Sequence, residues 1–350
     1  MFKVTDQVDL LSLGRFDDII DVRSPSEFGQ DHVSGAINLP VLTDAERVEV
    51  GTIYVQDSKF TAKRIGAACI ARNIATHLQG ALSDKGGGWA PVLYCWRGGQ
   101  RSHAMATVLD QIGWRTTLIT GGYKTYRAGV TAALYEDMAP PLRLVLLDGD
   151  TGSAKTEILH RLAGVGVQML DLEGLAGHRG SLFGGISGRP QPSQRLFESR
   201  LYAALAQLDP ARPIVVEAES SRIGDRAIPS GFWRAMTAAP RIEIKASQAE
   251  RARYLARTYF DIGADVAALE EAIARLPRHL SHQQKQDWRD MARTGQAEPL
   301  AHGLIAAHYD PAYARSAGAS AHASLGVITL DRLDPDQQQS AAEQIARLVS

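Results

Sequence analysis

The residues Cys95-Trp96-Arg97-Gly98-Gly99-Gln100-Arg101 place a thiol, two glycines and two guanidinium groups within seven positions. The amides of a tight, glycine-containing loop can all point inward and form a concave anion site. A helix beginning at Ser102 would add the positive end of its dipole. In such a field, and beside Arg97 and Arg101, a thiol is expected to lose its proton readily, and the thiolate is the nucleophile. Gly98 and Gly99 supply the backbone freedom that the cradle needs. The chemistry expected of Cys95 is therefore nucleophilic or group-carrying, on an anionic donor.

A second loop, "GDTGSAKT" at 149–156, follows an apolar run and precedes a helical pattern. Gly149, Lys155 and Thr156 fit the phosphate-binding pattern G-x-x-x-x-G-K-[ST], with Gly152 a further flexible point. Lys155 would neutralise phosphate oxygens, and Thr156 could reach a Mg²⁺ ion. Ala154 stands where the pattern has glycine, which costs about 1 kcal/mol if that position is left-handed. Glu217 and Glu219, in "IVVEAES", either hold a metal-bound water or simply end a strand.

The elements that must position these loops alternate strand and helix. Strands are expected at 16–23, 35–40, 90–95 and just after Arg115, with helices in "TAKRIGAACIARNIATHLQGAL", "SHAMATVLDQIGW" and after "GGYK". That alternation argues an α/β fold with parallel sheets, in which ligands gather at the carboxyl ends of strands. The paired prolines of "YEDMAPPLR" mark a boundary. The expectation is a first domain over 1–134, a linker over 135–142, and a phosphate-loop α/β domain over 143–350. The second domain has further strands at 142–147, 165–172, 212–219 and 240–246, and a mainly helical part from about 247.

Composition narrows the function classes. Lysine plus arginine number 38 against 39 acids, so a nucleic-acid partner would need a local basic surface. Eight bases against three acids between Arg222 and Arg257 offer one, with Arg222, Arg226, Arg251 and Arg253 as candidate tRNA contacts and Tyr254 and Trp288 as stacking partners. The chain has two cysteines, too few for a disulfide framework or a zinc site, and Cys69 reads as a core residue in a helix. The longest apolar runs fall far short of the roughly 20 residues that span a bilayer. The start of the chain lacks the basic and apolar regions of a signal peptide, so a cytoplasmic location is expected.

"DVRSPSEFGQDHVSGAINLPV" followed by the cysteine loop resembles the rhodanese domain, through Asp21, Val22, Arg23, Glu27, Phe28, His32, Gly35, Ala36, Asn38 and Pro40. That resemblance implies a cysteine carrying a transferable chalcogen. The loop from Cys95 to Arg101 has seven residues, the size of the rhodanese-fold phosphatases, against six in sulfurtransferases. With "GGYKTYR", "HRGSLFGG", "QPSQRLFE" and "AESSRIGDRAIP", the whole chain resembles the bacterial tRNA 2-selenouridine synthases.

The resemblance implies replacement of sulfur by selenium in wobble 2-thiouridine of tRNA. The selenium donor would be selenophosphate, acting on a geranylated intermediate made from geranyl diphosphate, with no tightly bound cofactor. It carries the essential cysteine over to Cys95. Diphosphate suits the 149–156 loop. Trp96, Phe183 and Phe197 are candidates for an apolar channel or for core packing, "HRGSLFGG" reads as a flexible basic loop, and "PQPSQ" as a rigid one. A rhodanese-fold phosphatase, or a sulfurtransferase with a nucleotide-binding regulatory domain, is the alternative.

Overall fold

A computed structural model describes residues 2–136, 141–178, 190–260, 266–277, 280–317 and 323–350. The chain divides into two compact units, Met1–Glu136 with Ser193–Ala206, and Asp137–Pro192 with Gln207–Ser350.

The first unit is built on a parallel sheet of β1 (Lys3–Thr5), β2 (Ile19–Asp21), β3 (Ile37–Asn38), β4 (Val92–Tyr94) and β5 (Thr117–Ile119), in the order β1-β5-β4-β2-β3. Val92, Leu93 and Tyr94 are all fully buried, because helices cover both faces, as a parallel sheet requires. Its helices are α1 (Leu10–Leu13), α2 (Pro25–Gln30), α3 (Asp44–Gln56), α4 (Lys59–Gln79), α5 (Gln100–Ile112) and α6 (Tyr123–Tyr135). From β2 the chain runs to β3 on one side and then crosses to β4 on the other. That reversal opens a crevice at the carboxyl ends of β2 and β4. Arg23 and Cys95 follow those two ends directly.

The second unit repeats the logic. Its sheet is also parallel, with β6 (Leu144–Asp148) at the centre, β8 (Ile214–Glu217) and β7 (Gln168–Leu170) on one side, and β11 (Arg241–Ala246) and β12 (Ser324–Leu330) on the other. The 149–154 loop leaves β6 at the point where strand order reverses, and α7 (Lys155–Leu162) and α8 (Leu172–Ala176) follow in sequence. β9 (Arg222–Ile223) and β10 (Arg226–Ala227) form a small antiparallel hairpin before α10 (Ser230–Ala238).

The helices α11 (Gln248–Phe260), α12 (Val266–Ala274), α13 (His282–Arg293), α14 (Ala297–Leu304) and α15 (Asp310–Ala317) all lie between β11 and β12, and α16 (Pro335–Val349) ends the chain. No helix among the described residues is long and apolar enough to cross a membrane.

Two features differ from the sequence expectation. β12 interrupts the helical C-terminal part; as an edge strand it leaves Leu325 and Val327 exposed and buries only Ile328 and Leu330, so its alternation is weak. A further helix, α9 (Gln194–Leu205), packs on α6 in the first unit, although it falls inside the expected 143–350 domain. Its apolar stripe shows that it must be buried, but a stripe carries no information on which core receives it.

Candidate active site

The cysteine loop is shaped by a second turn, Gly121-Gly122, which lies against it. The amides of Tyr123 and Lys124 donate to the carbonyls of Cys95 (2.8 Å) and Trp96 (3.2 Å). With those carbonyls tied back, the amides of Trp96, Arg97 and Gly98 keep no partner among the described residues, as in an anion-binding nest. The approach leaves no space for a side chain. At Gly122 (φ +62°) a Cβ would collide with the Cys95 carbonyl oxygen and stand 2.6 Å from the Gly98 nitrogen. Gly98 is also left-handed (φ +63°), whereas Gly99 (φ −99°) is extended and its Cβ would meet nothing within 4 Å, so only the first of the two loop glycines is required by the backbone.

The thiol lies beneath this cradle, only 3% of Cys95 being exposed. Its Sγ accepts from the Gly99 amide at 3.1 Å and from the Ser102 hydroxyl at 3.2 Å. Both donors suit an anionic sulfur or an anion held against it. α5 opens with Gly99 and no side-chain cap, so its first amides are left for an incoming acceptor.

Arg101 does not stand free beside the sulfur as expected. Its guanidinium forms a two-point ion pair with Glu27, at 2.5 and 3.3 Å. Burial pushes the Glu27 carboxyl up, but the hydrogen bond and charge of Arg101 outweigh it and hold the group below the usual range. Glu27 is itself fixed as the third residue of α2, where it closes a capping box with Ser24. Arg101 thus ties the loop to α2, and Arg97, which is exposed, is the arginine left to meet a bound anion.

Arg23 braces the other side. Fully buried, it pairs with Asp21 at 2.6 Å, donates to the Asp31 carbonyl, and lies 4.1 Å over the Tyr123 ring.

In the second unit Gly149 (φ +146°) and Gly152 (φ +86°) both hold backbone angles that other residues avoid. Ala154, the N-cap of α7, is left-handed (φ +61°), so the strain anticipated for alanine there is present. Lys155 Nζ donates to the carbonyls of Gly149 (2.5 Å) and Asp150 (3.3 Å), and must swing off them to meet a phosphate. Thr156 donates to Glu173 Oε2 at 3.1 Å. Burial, and then the adjacent Glu219 carboxylate, push Glu173 up to about 8.

Glu217, buried at the end of β8, accepts from the Leu172 amide at 2.9 Å and is raised by burial and by the charges of Asp171 and Glu173. Its Oε2 thus braces the start of α8, while its buried Oε1 has no partner among the described residues. Among the described residues no group of three or more His, Cys, Asp or Glu is arranged to hold a metal.

The basic segment behaves differently from the sequence expectation. Arg251 is 3% exposed and grips Asp310 through both nitrogens, at 2.9 and 2.8 Å, while donating to the Thr151 carbonyl of the phosphate loop. It serves the loop and cannot contact tRNA. Tyr254 and Trp288 are buried in apolar clusters, which removes them as stacking platforms. Arg253 pairs with Glu250 and Glu298, Arg241 with Asp148, and Lys245 with Glu243. Arg222 is exposed; Arg226 is half-buried, 4.0 Å from Asp225.

Phe197 is fully buried on α9 in the first unit, a core residue and not a channel wall. Trp96 is partly buried and tilted against Tyr123. Phe183 and the basic loop from Arg179 onward lie outside the described residues. The stretch at 190–194 is pinned by Gln191, whose side chain bonds Ala176, Ile223 and Asp225.

A buried thiol under an amide cradle in one unit, and a phosphate loop in the other, define a rhodanese domain joined to a P-loop domain. Comparison agrees: the rhodanese-like domain family matches residues 5–128, and the family described as the tRNA 2-selenouridine synthase AAA domain matches residues 142–326. The chain belongs to the tRNA 2-selenouridine synthase family.

A tRNA 2-selenouridine synthase of Aeromonas salmonicida is 32% identical over 84% of this chain and 86% of its own length. Those of Nitrosomonas europaea and Cupriavidus pinatubonensis are 38% and 36% identical over 61% and 69% of this chain. In these two cases the match spans only 56% and 65% of the relative's length.

Proposed function

We propose that this chain replaces the sulfur of 2-thiouridine in tRNA by selenium, in two steps served by its two cradles. In the first, geranyl diphosphate seats its diphosphate in the 149–156 loop, with Lys155 moving from the loop carbonyls onto phosphate oxygens. The thiouridine sulfur attacks the allylic carbon, diphosphate leaves, and the base gives up its N3 proton. In the second, selenophosphate seats its phosphate on the amides of Trp96, Arg97 and Gly98. Its selenium adds to C2, while the Cys95 thiol beneath the nest gives its proton to the leaving geranylthiolate and regains one from the hydrogen selenophosphate. Water then cleaves the Se–P bond, releasing phosphate and restoring the N3 proton. No net oxidation occurs.

The observation that carries this reading is the pairing, in one chain, of a phosphate loop with a second anion nest built over a buried thiol. Mg²⁺, if used, would find Thr156 and the neighbouring carboxylates together with the substrate's own phosphates. The test is mass spectrometry of nucleosides from thiolated tRNA incubated with the protein and both donors. A sulfur-to-selenium shift is expected, with a geranylated species accumulating when selenophosphate is withheld. Unchanged 2-thiouridine under every donor combination would overturn the proposal, and turnover of an aryl phosphate would then favour the phosphatase alternative.

A further inference from the structure

Two parallel neighbours such as β11 and β12 can be joined by a single crossover helix. Here α11 to α15 intervene, and α12, α13 and α14 enclose an apolar cluster of their own, made by Ile273, Leu276, Leu280, Trp288, Ala292, Leu300 and Leu304. The sheet does not need this module to close.

The surface of the module holds a cleft of about 340 Å³ lined by Ala274, His282, Gln283, Lys285, Gln286 and Arg289. His282, Lys285 and Arg289 are three and then four residues apart, which puts them on one face of α13. Trp288 and Ala292, buried in the apolar cluster, flank that face on one side, so the three bases stand at the rim of the packed surface. Lys285 Nζ is steadied over the cleft by one bond to the Leu276 carbonyl at 2.5 Å, leaving two donors.

Among the described residues no carboxylate lines the cleft. The acids of α13, Asp287 and Asp290, are held by Gln283 and Gln286 at 2.7 and 3.1 Å, and Asp290 also meets Arg293. Arg293 is in turn spent on Glu270. Neither Lys285 nor Arg289 has a carboxylate partner among the described residues, unlike Arg241, Lys245, Arg251 and Arg253 of the segment first expected to bind nucleic acid.

We infer that the α13 cleft is a docking site for the phosphate backbone of the tRNA substrate. Cations without local partners are those whose neutralisation of phosphate releases counterions. The inference rests on the proposed action on tRNA and adds the surface that holds it.

The test is binding of thiolated tRNA to the full chain as a function of salt, for the wild type, Lys285→Glu, Arg289→Glu and Asp287→Asn, with the tRNA dependence of turnover alongside. Each charge reversal should lower affinity and reduce the slope of log K against log salt by about 1. It should raise KM for tRNA and leave kcat at saturating tRNA unchanged. Asp287→Asn, which removes the negative charge held by Gln283, should not lower affinity and should leave the slope unchanged. Wild-type affinity and slope in both reversal variants, in a protein that does bind tRNA, would overturn the cleft. A wild type that binds no tRNA at any salt would instead overturn the proposed function.

Discussion

Gly122→Ala separates the geometry of the cysteine loop from its chemistry. The new methyl meets the Cys95 carbonyl and the Gly98 amide, both backbone, so the loop itself must move. Left-handed alanine costs about 1–2 kcal/mol. Displacing the loop also weakens the bonds from Tyr123 and Lys124 to Cys95 and Trp96, about 1 kcal/mol each. Together that is about 3–4 kcal/mol, or roughly 10 °C in the calorimetric transition of the first unit.

Gly113→Ala is the matched control: it too is left-handed (φ +108°), but its Cβ would have nothing within 4 Å. It should show the backbone cost alone and keep selenation near wild type. Selenation by Gly122→Ala, assayed on tRNA that is already geranylated, should fall about 100-fold, the usual consequence of an ångström of misplacement at a reacting centre. A Gly122→Ala protein that melts with Gly113→Ala and selenates normally would refute the reasoning.

Further outcomes follow from the same geometry. Cys95→Ser should abolish selenation and spare geranylation, whereas Lys155→Ala should stop geranylation yet still selenate tRNA that is already geranylated; nucleoside mass spectrometry reads both, and a Cys95→Ser protein that fails to geranylate, or a Lys155→Ala protein that fails on the geranylated substrate, breaks the division of labour. Arg251→Ala leaves Asp310 without its partner and the Thr151 carbonyl without its donor, at about 3 kcal/mol. It should raise KM for geranyl diphosphate without changing selenation of geranylated tRNA, and unchanged geranylation kinetics would rule out its hold on the loop.

Glu173 keeps a proton in the folded protein up to about pH 8, whereas its ordinary value is 4.5. The native state therefore binds the extra proton, and stability should fall as pH rises through that window. Urea midpoints at pH 5.5 and pH 8 measure the decline, and Glu173→Gln should flatten it. A decline as steep in the variant would locate the effect elsewhere.

Much of this molecule was legible because its two loops are local. Cys95 with its glycines, and Gly149 to Thr156, carry backbone and side-chain requirements within eight consecutive residues, and the strand before each fixes where it sits. What stayed hidden depends on partners far along the chain. Arg101 looks like a free cation until Glu27, 74 positions earlier, arrives at 2.5 Å. Arg251 looks like one until Asp310 does, 59 positions later.

An excess of arginine over acid in a window says nothing about ion pairs closed by the fold, and that is why the basic segment misled while α13, with acids interspersed, did not stand out. The Gly121-Gly122 turn was visible as a motif, but its purpose was not. Two strands must first lie side by side in the order β5-β4 before one glycine turn can press against the other loop. The site is therefore read from sequence wherever one segment supplies its own constraint. It is read only from structure wherever two segments constrain each other.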